Sequence, residues 1–161
     1  MATVNMQKTE VVRKELERLD SESRTADELM KGITLLLNQQ MLNYNWVGFY
    51  MLEAGTEPPV LVLGHYQGAM TPHVRIPLNE GICGAAASTG ETVVVDDVNS
   101  DPRYLSCSLE TKSEIVVPVF VRGQVAGELD IDSHFPAAFG ADDRALVEYC
   151  AQLVSKRLEN E

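Results

Sequence analysis

The segment Gly127-Glu128-Leu129-Asp130-Ile131-Asp132-Ser133 constrains the chain more than any other. Its alternation is that of a β-strand, with Leu129 and Ile131 on one face and Glu128, Asp130 and Asp132 on the other. The apolar face requires a packed layer beneath it. The acidic face sets the second constraint. Exposed to water it would be unremarkable, but a covered pair of acids carries a desolvation and repulsion cost that a cation, a metal or a shared proton normally offsets.

At 161 residues and 45% hydrophobic content, the chain fits a single domain over 1–161 with one sizeable core. No repeat, low-complexity segment or Pro/Gly linker divides it. The formal charge is −11, from 24 acids against 13 bases. The bases are scattered, which argues against nucleic acid and anionic membranes as partners. The longest apolar runs, such as Ile115 to Val121, are too short to span a bilayer, and Met1-Ala2-Thr3-Val4-Asn5 lacks the layout of a secretion signal. The expected location is cytoplasmic. Cys83, Cys107 and Cys150 are odd in number and lack CxxC or His-x-x-x-His spacing. Neither a disulfide framework nor a structural zinc site is indicated, and thiol chemistry in a reducing compartment would be transient or catalytic.

Lys8 to Leu19 reads as a charged, partly amphipathic helix, within an N-terminal helical extension over 1–24. Thr25 and Glu28 form a capping box, and Leu29, Met30, Ile33, Leu36, Leu37 and Met41 continue at helical spacing to about Leu42. Strands are predicted at Trp46 to Leu52, Val60 to Gly64 and Val74 to Ile76, the first two joined as a hairpin. A short small-residue helix begins at Gly81 and is stopped by Gly90, and Thr92 to Val95 returns to strand. The polar stretch Asp96 to Lys112 is longer than a plain connection. Ile115 to Val121 and Val125 to Ser133 form a hairpin around Arg122-Gly123-Gln124. Asp142 to Leu158 closes the chain as an amphipathic helix, its buried stripe Leu146, Val147, Cys150, Val154 and Leu158. The fold class is an α/β (α+β) sandwich. A largely antiparallel central sheet carries the terminal helices on one face and loops plus the short helix on the other.

Individual residues leave alternatives open. Cys150 lies on a core stripe, and free cysteine is among the most buried residue types. Cys83 suits packing in its small-residue helix as well as chemistry, whereas Cys107 sits in a polar loop where packing explains it less well. Asp130 and Asp132 could cap a strand end by accepting backbone hydrogen bonds. Trp46 and Tyr50 could be core, pocket or both. His65 and His73 read as surface or hydrogen-bonded histidines, and no metal is assigned. Gly81 to Gly84 lacks the Lys and Ser/Thr of a phosphate-binding loop.

Several strings occur together: Asn45-Trp46-Val47-Gly48-Phe49-Tyr50, Leu63-Gly64-His65-Tyr66-Gln67-Gly68, Arg75-Ile76-Pro77, Gly81-Ile82-Cys83-Gly84, Ser113-Glu114-Ile115-Val116-Val117-Pro118 and Leu129-Asp130-Ile131-Asp132-Ser133. In combination, from about Met30 to Leu158, they resemble the stand-alone GAF-domain family of free methionine-R-sulfoxide reductases. The resemblance implies a GAF fold, with Cys107 as catalytic cysteine and Cys83 as the second cysteine of the central helix. It implies substrate contacts from Glu114, Asp130 and Asp132, a methyl-packing Trp46 and a pocket residue Tyr50. His73 stands where the family resembled carries a third cysteine, usually given the resolving role. Glu128 stands where an apolar residue is usual.

The resemblance further implies thiol-dependent reduction of free L-methionine-R-sulfoxide through a cysteine sulfenic acid, regenerated by disulfide exchange. No bound cofactor is expected, and thioredoxin would be the external reductant. A rival reading is a non-catalytic GAF module that senses a small ligand or partner, and another is a thiol redox switch without a substrate pocket. The N-terminal helix could serve a homodimer contact or cover the core.

Overall fold

A computed structural model describes residues 4–105 and 109–161. The elements run α1 (Val4–Glu22), α2 (Ala26–Gln40), β1 (Trp46–Glu53), β2 (Val60–Gln67), β3 (Arg75–Pro77), α3 (Gly81–Thr89), β4 (Val93–Val95), β5 (Ser113–Val121), β6 (Gln124–Ser133) and α4 (Ala141–Glu159). A single 3-10 turn, Val98–Ser100, follows β4. The six strands form one antiparallel sheet in the order β3-β2-β1-β6-β5-β4.

Period-two alternation splits the molecule into two apolar layers. Val47 and Phe49 of β1, Ile115, Val117 and Val119 of β5, and Leu129 and Ile131 of β6 meet Leu16, Leu29, Ile33, Leu37, Leu146 and Val154 of the three long helices. This is the main core, and Cys150 is wholly inside it, its thiol pushed up to about 12 by burial. The other face carries a smaller cluster in which Trp46, Tyr50 and Val116 meet Ile82, Cys83, Ala86 and Ala87 of α3. The strand order places β6 in the middle, so its acidic residues face α3 and its apolar residues face the helices.

Several expected boundaries move. The first helix runs from Val4 to Glu22 rather than Lys8 to Leu19, and β2 continues to Gln67 because its outer residues still pair with β1. Thr25 caps α2 as predicted, accepting from the Glu28 amide, but Glu28 returns its bond to the Arg24 amide rather than to Thr25. The short helix ends at Gly90, whose φ of 73° is the left-handed conformation glycine adopts without strain. Among the described residues no helix is long and apolar enough to cross a membrane.

Candidate active site

Strand register brings the predicted residues together. Glu114 on β5 stands directly opposite Asp132 on β6, Trp46 on β1 lies on the other side of Asp132, and Tyr50 stands opposite Glu128. Gly48 is opposite Asp130. A Cβ there would come within 2.4 Å of the Trp46 ring, so glycine leaves the space along the strand that the indole occupies. The ring stacks on Tyr66 at a centroid distance of 5.7 Å and tilts against Tyr50 at 6.2 Å. Its Nε1 donates to the Ala69 carbonyl at 3.0 Å, fixing the indole's orientation.

The acids are buried. Glu114, Asp130 and Asp132 are each at most 5% exposed and Glu128 is fully enclosed. Asp130 Oδ1 and Asp132 Oδ1 have no hydrogen-bond partner among the described residues, nor has either oxygen of Glu128. Burial, reinforced by mutual repulsion, raises the pKa of Glu114 and Asp132 well above the ordinary carboxylate range. Burial likewise raises Asp130 and Glu128. Such a group holds protons to a higher pH than isolated carboxylates do.

α3 supplies the thiol. The Cys83 Sγ donates to Asp130 Oδ2 at 3.3 Å, and desolvation, followed by repulsion from Asp130, Glu128 and Glu114, pushes its pKa well up. One ligand atom each from Cys83, Glu114 and Asp130 lie within 4.8 Å of one another, near enough to share a cation or a proton. Two small cavities flank the acid row. The inner one, about 20 Å³, is lined by Tyr50, His73, Ile76, Cys83, Glu114 and Asp130 among others. It has room for roughly one water molecule. The outer one, about 100 Å³, is bounded by Asn45, Trp46, Thr71, Thr111, Asp132 and His134 among others.

His73 does not sit at an unrelated surface position: it lines the inner cavity, and its carbonyl accepts from the Tyr50 hydroxyl at 2.7 Å. His65 is half-exposed against Asp27 at 2.9 Å, away from the site. Cys107, predicted to be the nucleophile, lies outside the described residues. Thr71, Thr111 and His134 were not singled out by sequence. Thr111 and His134 adjoin the strings Ser113-Glu114 and Asp132-Ser133, the one local signal that could have found them.

The arrangement is suited to hold a small polar molecule against carboxyl groups of mixed protonation, with an indole on one side and a thiol on the other. Residues 25–158 match the GAF domain family. The chain is 37% identical over 125 residues to the free methionine-R-sulfoxide reductase of Escherichia coli K12, across 77% of this chain and 73% of that protein. It is 41% identical over 116 residues to the Saccharomyces cerevisiae protein of the same name, across 71% of this chain. The chain spans 63% of the yeast relative's length, less than two thirds. The structure of free methionine-R-sulfoxide reductase from Neisseria meningitidis in complex with its substrate superposes with a TM-score of 0.90 at 33% identity, covering 99% of this chain and 93% of that one. The buried acid row, the α3 thiol and these likenesses place the chain in the free methionine-R-sulfoxide reductase family of GAF-domain proteins.

Proposed function

We propose that the protein reduces free L-methionine-R-sulfoxide to methionine, with Cys107 as nucleophile. The observation that carries this reading is the buried Glu114, Asp130 and Asp132 row, with unpartnered oxygens, between Trp46 and the Cys83 thiol. A row of acids that no cationic side chain among the described residues neutralises is suited to a ligand that brings donors of its own. The ammonium of a free amino acid does so, and peptide-bound methionine lacks it. A protonated member of the row donates to the sulfoxide oxygen, and the ionised members hold the ammonium. The Trp46 ring packs on the methyl and sulfur, a contact favourable by roughly 0.3 to 1.5 kcal/mol.

The chemistry balances in two steps. The Cys107 sulfur attacks the sulfoxide sulfur, the S–O bond breaks, and oxygen passes to cysteine, giving methionine and a Cys107 sulfenic acid. Cys83 then attacks that sulfur, forming a disulfide and releasing water, and a dithiol such as thioredoxin restores both thiols. The protein's own groups suffice for this sequence, so no bound cofactor is invoked.

The test couples free methionine sulfoxide to NADPH oxidation through thioredoxin and its reductase. Wild type consumes NADPH in proportion to the R epimer and Cys107→Ser does not. Equal rates in the two proteins, or none in either with an intact reducing system, overturn the reading. Binding without turnover would select the sensor module instead.

A further inference from the structure

Three donors from three elements converge on the inner cavity. Cys83 comes from α3, Glu114 from β5 and Asp130 from β6, and one ligand atom of each lies within 4.8 Å of the other two. Glu114 stands opposite Asp132 and Asp130 opposite Val116, so Glu114 and Asp130 are diagonal neighbours on the β5–β6 hairpin, and the helix lays its thiol over them. All three residues line the same cavity of about 20 Å³, and each is at most 5% exposed. Asp130 Oδ2 takes the thiol's hydrogen bond, whereas Asp130 Oδ1 has no hydrogen-bond partner among the described residues.

We propose that Cys83, Glu114 and Asp130 are the protein ligands of a zinc site, which takes one Zn²⁺ per chain and shuts the pocket to substrate while the metal is bound. The spacing fits this ion. Zn–S bonds of about 2.3 Å and Zn–O bonds of about 2.0 to 2.2 Å set sulfur and oxygen roughly 3.5 Å apart across a tetrahedral edge. Cys83 Sγ lies 3.3 Å from Asp130 Oδ2. The cavity has room for roughly one water molecule, which completes four-coordination. The donor set selects the metal. A thiolate disfavours Mg²⁺ and Ca²⁺, and a cavity of this size does not supply the roughly six to eight oxygens that Ca²⁺ takes.

Charge supports the same assignment. No cationic side chain among the described residues neutralises the three groups, and burial keeps protons on all of them, with repulsion adding to it at Cys83 and Glu114. A dication removes that repulsion and takes the protons' place. Zn–S and Zn–O bonds form, and the thiol proton and any carboxyl protons pass to solvent. His73 shares the cavity wall, but its ring nitrogens do not join the three donors within 4.8 Å. The consequence for the reaction rests on the reductase reading above. Bound zinc withholds Cys83 from the Cys107 sulfenic acid, and withholds Glu114 and Asp130 from the ammonium and oxygen of the sulfoxide. No CxxC spacing announces such a site, because each donor comes from a different element.

The test uses the full chain, reduced and then freed of thiol reductants and chelators. Co²⁺ serves as the visible probe. One equivalent should give a thiolate-to-cobalt charge-transfer band in the near ultraviolet and the intense visible bands of a four-coordinate ion, both erased by added Zn²⁺. The charge-transfer band should vanish in Cys83→Ser and persist in Cys107→Ser. X-ray absorption at the zinc edge of wild type needs no variant, and should show one sulfur neighbour at about 2.3 Å among oxygen or nitrogen neighbours. Glu114→Gln and Asp130→Asn should each weaken zinc, in competition with a chromophoric chelator, by at least about tenfold, the least that losing a residue which merely supports a ligand costs. Excess zinc should abolish the burst of methionine released from one equivalent of free methionine-R-sulfoxide, and EDTA should restore it. A six-coordinate cobalt spectrum without the charge-transfer band, a band that Cys107→Ser removes, or zinc with no sulfur neighbour overturns the proposal. So does zinc bound with the methionine burst intact. Failure of the reductase reading is distinct: metal-free wild type then releases no methionine, while the cobalt spectrum and X-ray absorption still decide the site.

Discussion

The Cys83 thiol on α3 donates to Asp130 Oδ2 at 3.3 Å, across the gap between the short helix and the central strand of the sheet. One hydrogen bond thus joins the thiol proposed to resolve the sulfenic acid to an acid proposed to bind the substrate. The thiol's proton and the ligand compete for the same carboxyl, which couples the two halves of the cycle.

Asp130→Asn should therefore damage both. The amide keeps the shape but neither carries negative charge for an ammonium nor shares a proton with Glu114. Loss of one acid–base member should lower kcat/KM for free methionine-R-sulfoxide by roughly 10²- to 10⁴-fold. Glu114→Gln and Asp132→Asn should fall in the same range, because register places those two carboxyls face to face. NADPH-coupled rates at several substrate concentrations check this. A loss below threefold in all three would remove the acid row from the chemistry.

Stability should fall as pH rises. The folded-state pKa values of Glu114, Glu128, Asp130 and Asp132 are all raised by burial. In the unfolded chain such groups titrate near 4. Above that pH the unfolded state has given up protons that the folded state still holds, so the stabilisation present in acid is lost progressively as pH climbs towards the raised folded values. Denaturant melts without ligand should show higher stability near pH 5.5 than near pH 8. Free methionine sulfoxide should reduce the difference, because its ammonium neutralises the row. The opposite slope would mean that the acids are ionised and compensated in the folded protein.

Much of this was legible in the sequence because it depends on period and local chemistry. The alternation of Leu129 and Ile131 with Glu128, Asp130 and Asp132 fixed which face of β6 would be acidic, and Thr25 and Gly90 marked helix ends by their own backbone preferences. What covers the acids was not legible. Their burial depends on α3 docking across β5 and β6, where Ile82, Cys83, Ala86 and Ala87 join Val116 in one buried cluster. No pattern within β6 reports that contact. His73 illustrates the same limit. Its sequence surroundings say nothing of the inner cavity, and it reaches the cavity because the segment joining β2 to β3 folds back to Tyr50.

Gly48→Ala should impair the site while leaving the main core intact. The added methyl would meet the Trp46 ring at 2.4 Å and Tyr66 Cβ at 3.0 Å, so the indole must shift. Val47 and Phe49 on the other face are untouched by that movement. Losing the ring's contact with methyl and sulfur should raise KM up to about tenfold, in keeping with roughly 0.3 to 1.5 kcal/mol for a sulfur–aromatic contact. Near-ultraviolet circular dichroism should change, since this is the only tryptophan of the chain. An unaltered spectrum with unaltered KM would show that the indole does not hold the substrate.

Glu128→Leu should raise stability. The carboxyl is wholly enclosed without a hydrogen-bond partner among the described residues, and its neighbours on the sheet are Tyr50, Pro118 and Gly127. Replacing an unsatisfied buried polar group with an apolar one of similar volume should stabilise the fold by about 1 to 3 kcal/mol. That corresponds to roughly 2 to 4 °C in Tm per kcal/mol for a domain of this size. The gain should grow with pH, because the unfolded chain gives up the proton that buried Glu128 holds. Differential scanning calorimetry at pH 6 and pH 8 measures the gain. A destabilised variant would mean that Glu128 supports the fold.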